Sequence, residues 1–238
     1  FSGIDGAGKS TQIEALTARL AAGGLRVRLI RFWDDVARLK GIRETSGHRL
    51  FKGDKGIGSP SAPINRRDKN VQSWAMTCIR FFLYFVDAVS VGQVVKKVLR
   101  SDADVVIFDR YTWDELANLN PRNPIVRAYI RMLVAFVPRL HLSYLLDAEP
   151  LQARSRKPEY PLDFLHQNRQ AYLTLARLIG GITVIAPMPI QEAAQQILER
   201  AREELSPWVV SRPEGLPEGL IDASKDDSSL YTEADIRI

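Results

Sequence analysis

Cysteine is nearly missing from this sequence: Cys78 is the only one in 238 residues. An internal disulfide is excluded, and the composition suits a reducing, cytoplasmic compartment. Histidine is scarce as well, and His48 has no second histidine near it, which argues against a histidine metal centre. No apolar run approaches the roughly eighteen residues of a membrane span. The longest, FFLYFV at 81–86, falls in a helix-length pattern, and no membrane partner is expected. Cys78 lies in that same apolar helix and reads as a small core residue. Nothing repeats along the chain. Neither a base-stacking motif nor a reader helix is present, so nucleic acid is not an expected partner.

What is present is charge, unevenly spread. The formal net charge is +5. From Glu214 onward seven acids stand against Lys225 and Arg237, which leaves about +10 for residues 1–213. A basic body suits phosphorylated substrates. Residues 209–238 are rich in Pro, Gly, Ser, Asp and Glu and read as an acidic, disordered or loosely docked tail.

Short apolar runs alternate with helical periods, the pattern of a parallel sheet wrapped by helices. Strands are predicted at 25–32, 104–108, 140–146 and 182–186. Helices are predicted at 11–22, 72–100, from 109 to 119, and at 124–137, 162–179 and 190–205. Only Phe1 and Ser2 precede the first glycine, so they read as the end of a truncated first strand that begins upstream. Residues 34–72 are polar, irregular and Gly-rich, a loop length that is functional or disordered in compact domains.

The opening residues Gly3-Ile4-Asp5-Gly6-Ala7-Gly8-Lys9-Ser10-Thr11 match G-x-x-x-x-G-K-[ST] in full. Glycines let such a loop curl with its N–H groups inward, and the helix that follows adds the positive end of its dipole. Lys9 reaches β- and γ-phosphates, and the Ser10 hydroxyl sits on Mg²⁺. Gly3, Asp5, Gly6, Ala7, Gly8, Lys9, Ser10 and Thr11 are therefore the candidate ATP-binding residues, with ATP and Mg²⁺ as cofactors.

A second motif, VVIFDRY at 105–111, puts Asp109 and Arg110 at the carboxyl end of a buried strand, the edge where α/β sheets bind ligands. Asp109 can hold a Mg²⁺-bound water or polarise an acceptor, and Arg110 can clamp a phosphate through two parallel bonds. The plainer alternative is an N-cap aspartate beside a surface arginine.

With both motifs in hand, the chain resembles the thymidylate kinase family. FSGIDGAGKSTQ is similar to that family's opening loop, VVIFDRY to its Asp-Arg-Tyr motif, and about a hundred residues separate them in both. LLDAEP at 145–150 resembles the strand and turn before the family's lid, and Phe164, Arg169 and Tyr172 the helix after it. The resemblance implies a P-loop three-layer α/β sandwich with a five-stranded parallel sheet and helices on both faces. It implies a kinase domain over 1–208, with 34–72 as an acceptor-side insertion and 151–163 as the lid. It also implies transfer of the ATP γ-phosphoryl group to a nucleoside monophosphate.

By the same resemblance, Asp5 contacts the acceptor sugar, Arg110 holds the acceptor phosphate, Asp109 is the acid before it, and Tyr84 stacks on the base. Position 6 is glycine, as in members whose lid supplies the arginine, so Arg154 or Arg156 is the catalytic candidate. The resemblance also implies a homodimer through the helix 72–100, where FFLYFV reads equally well as a dimer face or as core.

The acceptor half departs from the pattern. By the resemblance, Ala88 stands where the family's thymine-reading arginine belongs, Glu115 where its polar base-reader does, and Asn118 where a tyrosine senses the missing 2′-hydroxyl. Asn65-Arg66-Arg67-Asp68-Lys69 is the densest charge cluster of the 34–72 segment, and Arg66 and Arg67 read either as partners of a phosphate or acidic substrate or as solvated surface. Trp33, Trp74 and Trp113 read as packing residues. Two alternatives stay open: a P-loop kinase with another small acceptor, a nucleoside or a sugar, and an ATP-binding regulatory module that has lost transfer.

Overall fold

The computed structural model describes residues 1–37 and 73–210. His48, Arg66, Arg67, most of the 34–72 insertion and the tail from 211 lie outside the described residues. The described chain is helix-rich α/β with short parallel strands. In order come α1 (Lys9–Ala22), β1 (Val27–Arg31), α2 (Trp74–Val98), β2 (Val105–Asp109), α3 (Thr112–Leu116), α4 (Pro124–Phe136), β3 (Ser143–Leu146), α5 (Pro150–Arg156), α6 (Leu162–Ile179), β4 (Ile182–Ile185) and α7 (Ile190–Val210). A π-helical turn, Phe32–Val36, follows β1 and is closed by Ala37 N–H donating to the Phe32 carbonyl at 2.8 Å.

The expected five-stranded sheet takes the form of two parallel pairs. β1 pairs with β2 from Val27↔Val105 to Arg31↔Asp109, and β3 with β4 from Ser143↔Ile182 to Leu146↔Ile185. Phe1 and Ser2, too few for a strand, lie between the pairs. Phe1 N donates to Phe108 O at 2.9 Å, and Arg110 N–H to Phe1 O at 3.0 Å. On the other side Ser2 N–H donates to Tyr144 O at 2.8 Å, and Leu146 N–H to Ser2 O at 2.9 Å. This stub aims Gly3 and the loop after it at the carboxyl edge of the strands.

Successive strand residues point to opposite faces, and two separate cores result. Phe108 and Leu145 pack with Leu83, Val91, Leu116, Ile130, Leu133 and Leu175 from α2, α3, α4 and α6. Their neighbours Ile107, Tyr144 and Leu146 pack instead with Ile13, Leu16, Leu20, Ile197 and Leu198 from α1 and α7.

Four expectations are corrected here. The helix predicted from Asp109 to Leu119 is only Thr112–Leu116, because Arg110 has a left-handed backbone, φ 69°, that a helix cannot contain. Cys78 is exposed, and Trp74 is 55 % exposed rather than packed. The cause of both is a single outward stripe on α2, in which Trp74, Cys78, Phe82, Phe85 and Val89 follow one another at three- and four-residue steps. Finally, α2 is long and apolar enough to cross a membrane, with mean hydropathy 1.6 over eighteen residues. The opposite face of the same helix buries Arg80 and Asp87 beside Leu83 and Val91 in the protein core.

Candidate functional site

The loop between the Ser2 stub and α1 curls because three of its residues are glycines with positive φ: 145° at Gly3, 86° at Gly6 and 86° at Gly8. Gly8 is also the N-cap of α1 and accepts the first helical bond, from Gln12 N–H at 3.1 Å. Lys9 is buried, and its ammonium donates to the Gly3 and Ile4 carbonyls at 2.8 and 2.9 Å. Burial lowers the Lys9 pKa from 10.5 to about 8. Arg110 pushes the same way, and Asp5, Asp114 and Asp109 push back. Those four residues thus act on Lys9 together, which brings the cradle and the Asp-Arg-Tyr corner into one electrostatic neighbourhood. Ser10 and Thr11 are exposed on the first turn of α1.

Arg110 forms an ion pair with Asp5 in the loop, and its other terminal nitrogen lies 3.5 Å from Asp114 Oδ1. Burial opposes its charge, but Asp5 and Asp114 outweigh burial and the Arg110 pKa is raised. Asp109 closes β2 opposite Arg31 and does not cap α3; the N-cap is Tyr111, whose N–H is accepted by Asp114 Oδ2 at 3.2 Å. The N-cap alternative for Asp109 is thereby set aside. Asp114 was not singled out in the sequence. Its one signal there was its i,i+4 spacing from Arg110 on a helix start.

The base-side candidates sit deeper. Tyr84 and Asn118 are buried and Glu115 fully so, as is Ala88. Tyr84 and Glu115 gather around Tyr129: burial raises the Tyr129 pKa first, and both residues raise it further. Asn118 donates through Nδ2 to Asp114 O at 3.1 Å, and its own carbonyl accepts from Arg80 at 3.4 Å.

The segment expected as a lid is half helix. α5 packs directly on the cradle, since a Cβ at Gly6 would stand 2.8 Å from the Ala153 carbonyl carbon. Arg156 brings Nη1 to 4.0 Å from the corresponding point on Gly8, while Arg154 turns away to donate to Tyr160 O. Arg169 of α6 ties that helix to the turn before α5, bonding Asp147 at 2.7 and 2.8 Å and Glu149 at 2.8 Å.

The donor chemistry here fits a magnesium–triphosphate. The loop is a concave run of glycines around a buried lysine at a helix N-terminus, and Gly8 has nothing but Arg156 near its open side. Among the described residues no group of three His, Cys, Asp or Glu side chains could cage a metal.

No protein-family model matches the chain. A thymidylate kinase of Bifidobacterium longum strain DJO10A is 30% identical over 187 residues, 74% of this chain and 82% of that one. The chain belongs to the thymidylate kinase family. A probable thymidylate kinase of Methanosphaera stadtmanae is 26% identical over 199 residues, spanning 82% of this chain and 91% of the relative. Another from Pyrobaculum calidifontis is 32% identical over 111 residues, 42% of this chain and 57% of the relative. Thymidylate kinase membership carries the P-loop fold with it, and at the level of the family it makes the chain a kinase.

Proposed function

We propose that this chain transfers the γ-phosphoryl group of ATP to a nucleoside monophosphate, with dTMP to dTDP as the leading reaction. The observation that carries the reading is the ion pair between Asp5 in the cradle and Arg110 after β2. It joins the donor loop to the arginine assigned to the acceptor phosphate, so a phosphoryl group has only a short path between them. In this reading Gly3, Gly6, Ala7, Gly8 and Thr11 wrap the ATP phosphates with main-chain and hydroxyl donors, and Lys9 leaves its loop carbonyls for the β- and γ-phosphates. Ser10 and Asp109 are the residues that would hold Mg²⁺, whose charge neutralises phosphate oxygens. Asp5 takes the acceptor sugar and Tyr84 its base. Phosphoryl transfer needs little covalent work from the protein, so catalysis is positioning plus charge stabilisation. Arg156 is the lid cation closest to the loop and is assigned to the transferring group. α5 over the cradle keeps water, the competing acceptor, away.

The same reading treats 1–208 as the kinase domain, the stub and the two strand pairs as one five-stranded sheet, 151–163 as the lid and 209–238 as a tail. It places the enzyme in the cytoplasm, with the exposed stripe of α2 as a homodimer face.

One feature favours a second acceptor within the same chemistry. Ala88 is fully enclosed, and Glu115 puts a carboxylate where a base edge is read. A site lacking the thymine-reading arginine discriminates weakly for thymine. A coupled assay of ADP release with Mg·ATP against dTMP, dUMP, other monophosphates, nucleosides and sugars tests both. Turnover of dTMP above all others supports the leading reading, turnover of another acceptor the second. ATP binding without acceptor-stimulated ADP release leaves only the regulatory-module alternative.

A further inference from the structure

Arg110 is the only non-glycine residue with positive φ among the described residues. Such a backbone persists only where its surroundings over-determine it, and the surroundings here converge on one carboxylate. Asp114, its side chain wholly buried, accepts from Ser2 Oγ at 2.5 Å and from Tyr111 N–H at 3.2 Å on Oδ2. On Oδ1 it accepts from the Tyr172 hydroxyl at 2.8 Å, and Arg110 Nη1 stands 3.5 Å away. Donors from the stub, from the start of α3 and from α6 therefore hold Asp114 still. Asp5, which holds the other guanidinium nitrogen, belongs to the cradle loop. The arginine lies between a locked carboxylate and one on a substrate-binding loop.

We propose that Asp114 is the positioning residue for Arg110. It keeps Nη1 on the protein side through the whole cycle, so that only Nη2 exchanges, from Asp5 in the free chain to the acceptor's phosphate in the complex. The exchange also releases Asp5 toward the acceptor sugar. Burial and Asp114 both raise the Tyr172 pKa, so the phenol stays a donor to this carboxylate across the working pH range. The inference rests on the reading of Arg110 as the acceptor-phosphate arginine, and it assigns the residue that makes Arg110 selective for that task.

The test compares Asp114→Asn, Asp114→Glu and Tyr172→Phe with the parent. Asp114→Asn is expected to raise the acceptor KM about tenfold or more, because a misaimed binding group loses its geometry, while the KM for ATP stays within twofold. Tyr172→Phe should show a smaller rise of the same kind, and Asp114→Glu a partial recovery. A purely structural role would lower thermal stability and leave both KM values alone, and that result overturns the proposal. A second readout needs no turnover. In ¹⁵N-edited spectra of the free chain, the Arg110 guanidinium protons should be resolved in the parent and averaged by rotation in Asp114→Asn. Unchanged guanidinium signals overturn the proposal even if the kinetics shift. If the parent phosphorylates no monophosphate, the kinase reading fails, and these spectra still decide whether Asp114 holds Arg110. Should Asp114→Asn not fold, Tyr172→Phe alone decides by both measurements.

Discussion

Gly6 of the cradle and Ala153 of α5 meet backbone to backbone. A Cβ at Gly6 would stand 3.0 Å from Ala153 Cα and closer still to its carbonyl, and the glycine has φ 86°. Position 6 therefore has no room for a side chain, which fits the proposed assignment of the transferring group's cation to the helix above. Gly6→Ala should push α5 off the loop. The left-handed backbone costs about 1–2 kcal/mol for an L-residue, and displacement of the site by about 1 Å costs on the order of 100-fold in rate. Steady-state kinetics and a melting curve check this. A kcat within twofold of the parent would show that the helix lifts away without consequence.

The two lid arginines separate on geometry. Arg156 lies over Gly8, and Arg154 is committed to the Tyr160 carbonyl inside the lid. Arg156→Ala should lower kcat by about 100-fold or more, given that an arginine on the transferring group is worth about 10³–10⁵, with melting temperature unchanged. Arg154→Ala should do the reverse, lowering stability by about 1 kcal/mol with a smaller loss of kcat. Equal kcat losses in the two variants would reject the assignment.

Elements with a single amphipathic stripe and clear stops were legible in the sequence. The helix between Pro161 and Gly180 runs over Leu162–Ile179 as predicted, and the phosphate loop was recognisable from spacing alone. The outward face of α2 was not, because its exposed stripe is as apolar as its buried face, which carries Arg80 and Asp87, so apolar periodicity pointed Cys78 to the core. Asp114 was hidden for another. Its partners Ser2 and Tyr172 lie 112 and 58 residues away, and no local pattern joins them. The Gly6–Ala153 contact is likewise invisible until the fold stacks α5 on the loop. The sequence motifs thus named the groups proposed to touch nucleotide, while the groups packed behind them emerged only from tertiary structure.

Lys9 gives a pH dependence with two opposite signs. Its pKa falls from 10.5 to about 8, first through burial and then through Arg110. Between those values the unfolded chain binds more protons than the folded one, so this group makes stability rise as pH climbs from about 8 toward 10.5. Phosphate affinity goes the other way, because a neutral lysine no longer attracts the anion. ADP binding by calorimetry should weaken by up to about tenfold per pH unit above 8, while the denaturation midpoint rises. Lys9→Met should remove both trends. A parent whose ADP affinity is flat from pH 7 to 9.5 would place the charge elsewhere.

The apolar stripe on α2 yields a test through the one cysteine. Phe82 is 64 % and Phe85 42 % exposed, and Phe85 stacks on Phe136 of α4 with ring centroids 5.6 Å apart. Met132 and Phe136 widen the patch on α4. A contiguous face of this kind is a protein contact more often than a water-exposed surface, and a two-fold pairing would set the same stripe of each copy against the other. Cys78 stands within the stripe. Its reaction with a thiol reagent should therefore be fast at nanomolar protein and slow by at least about tenfold at tens of micromolar, in step with the association seen by sedimentation. Phe82→Glu should hold the chain monomeric and keep Cys78 fast at every concentration, since burying an unpaired carboxylate in the contact is prohibitive. A monomer at high concentration with Cys78 uniformly reactive would exclude pairing through this face.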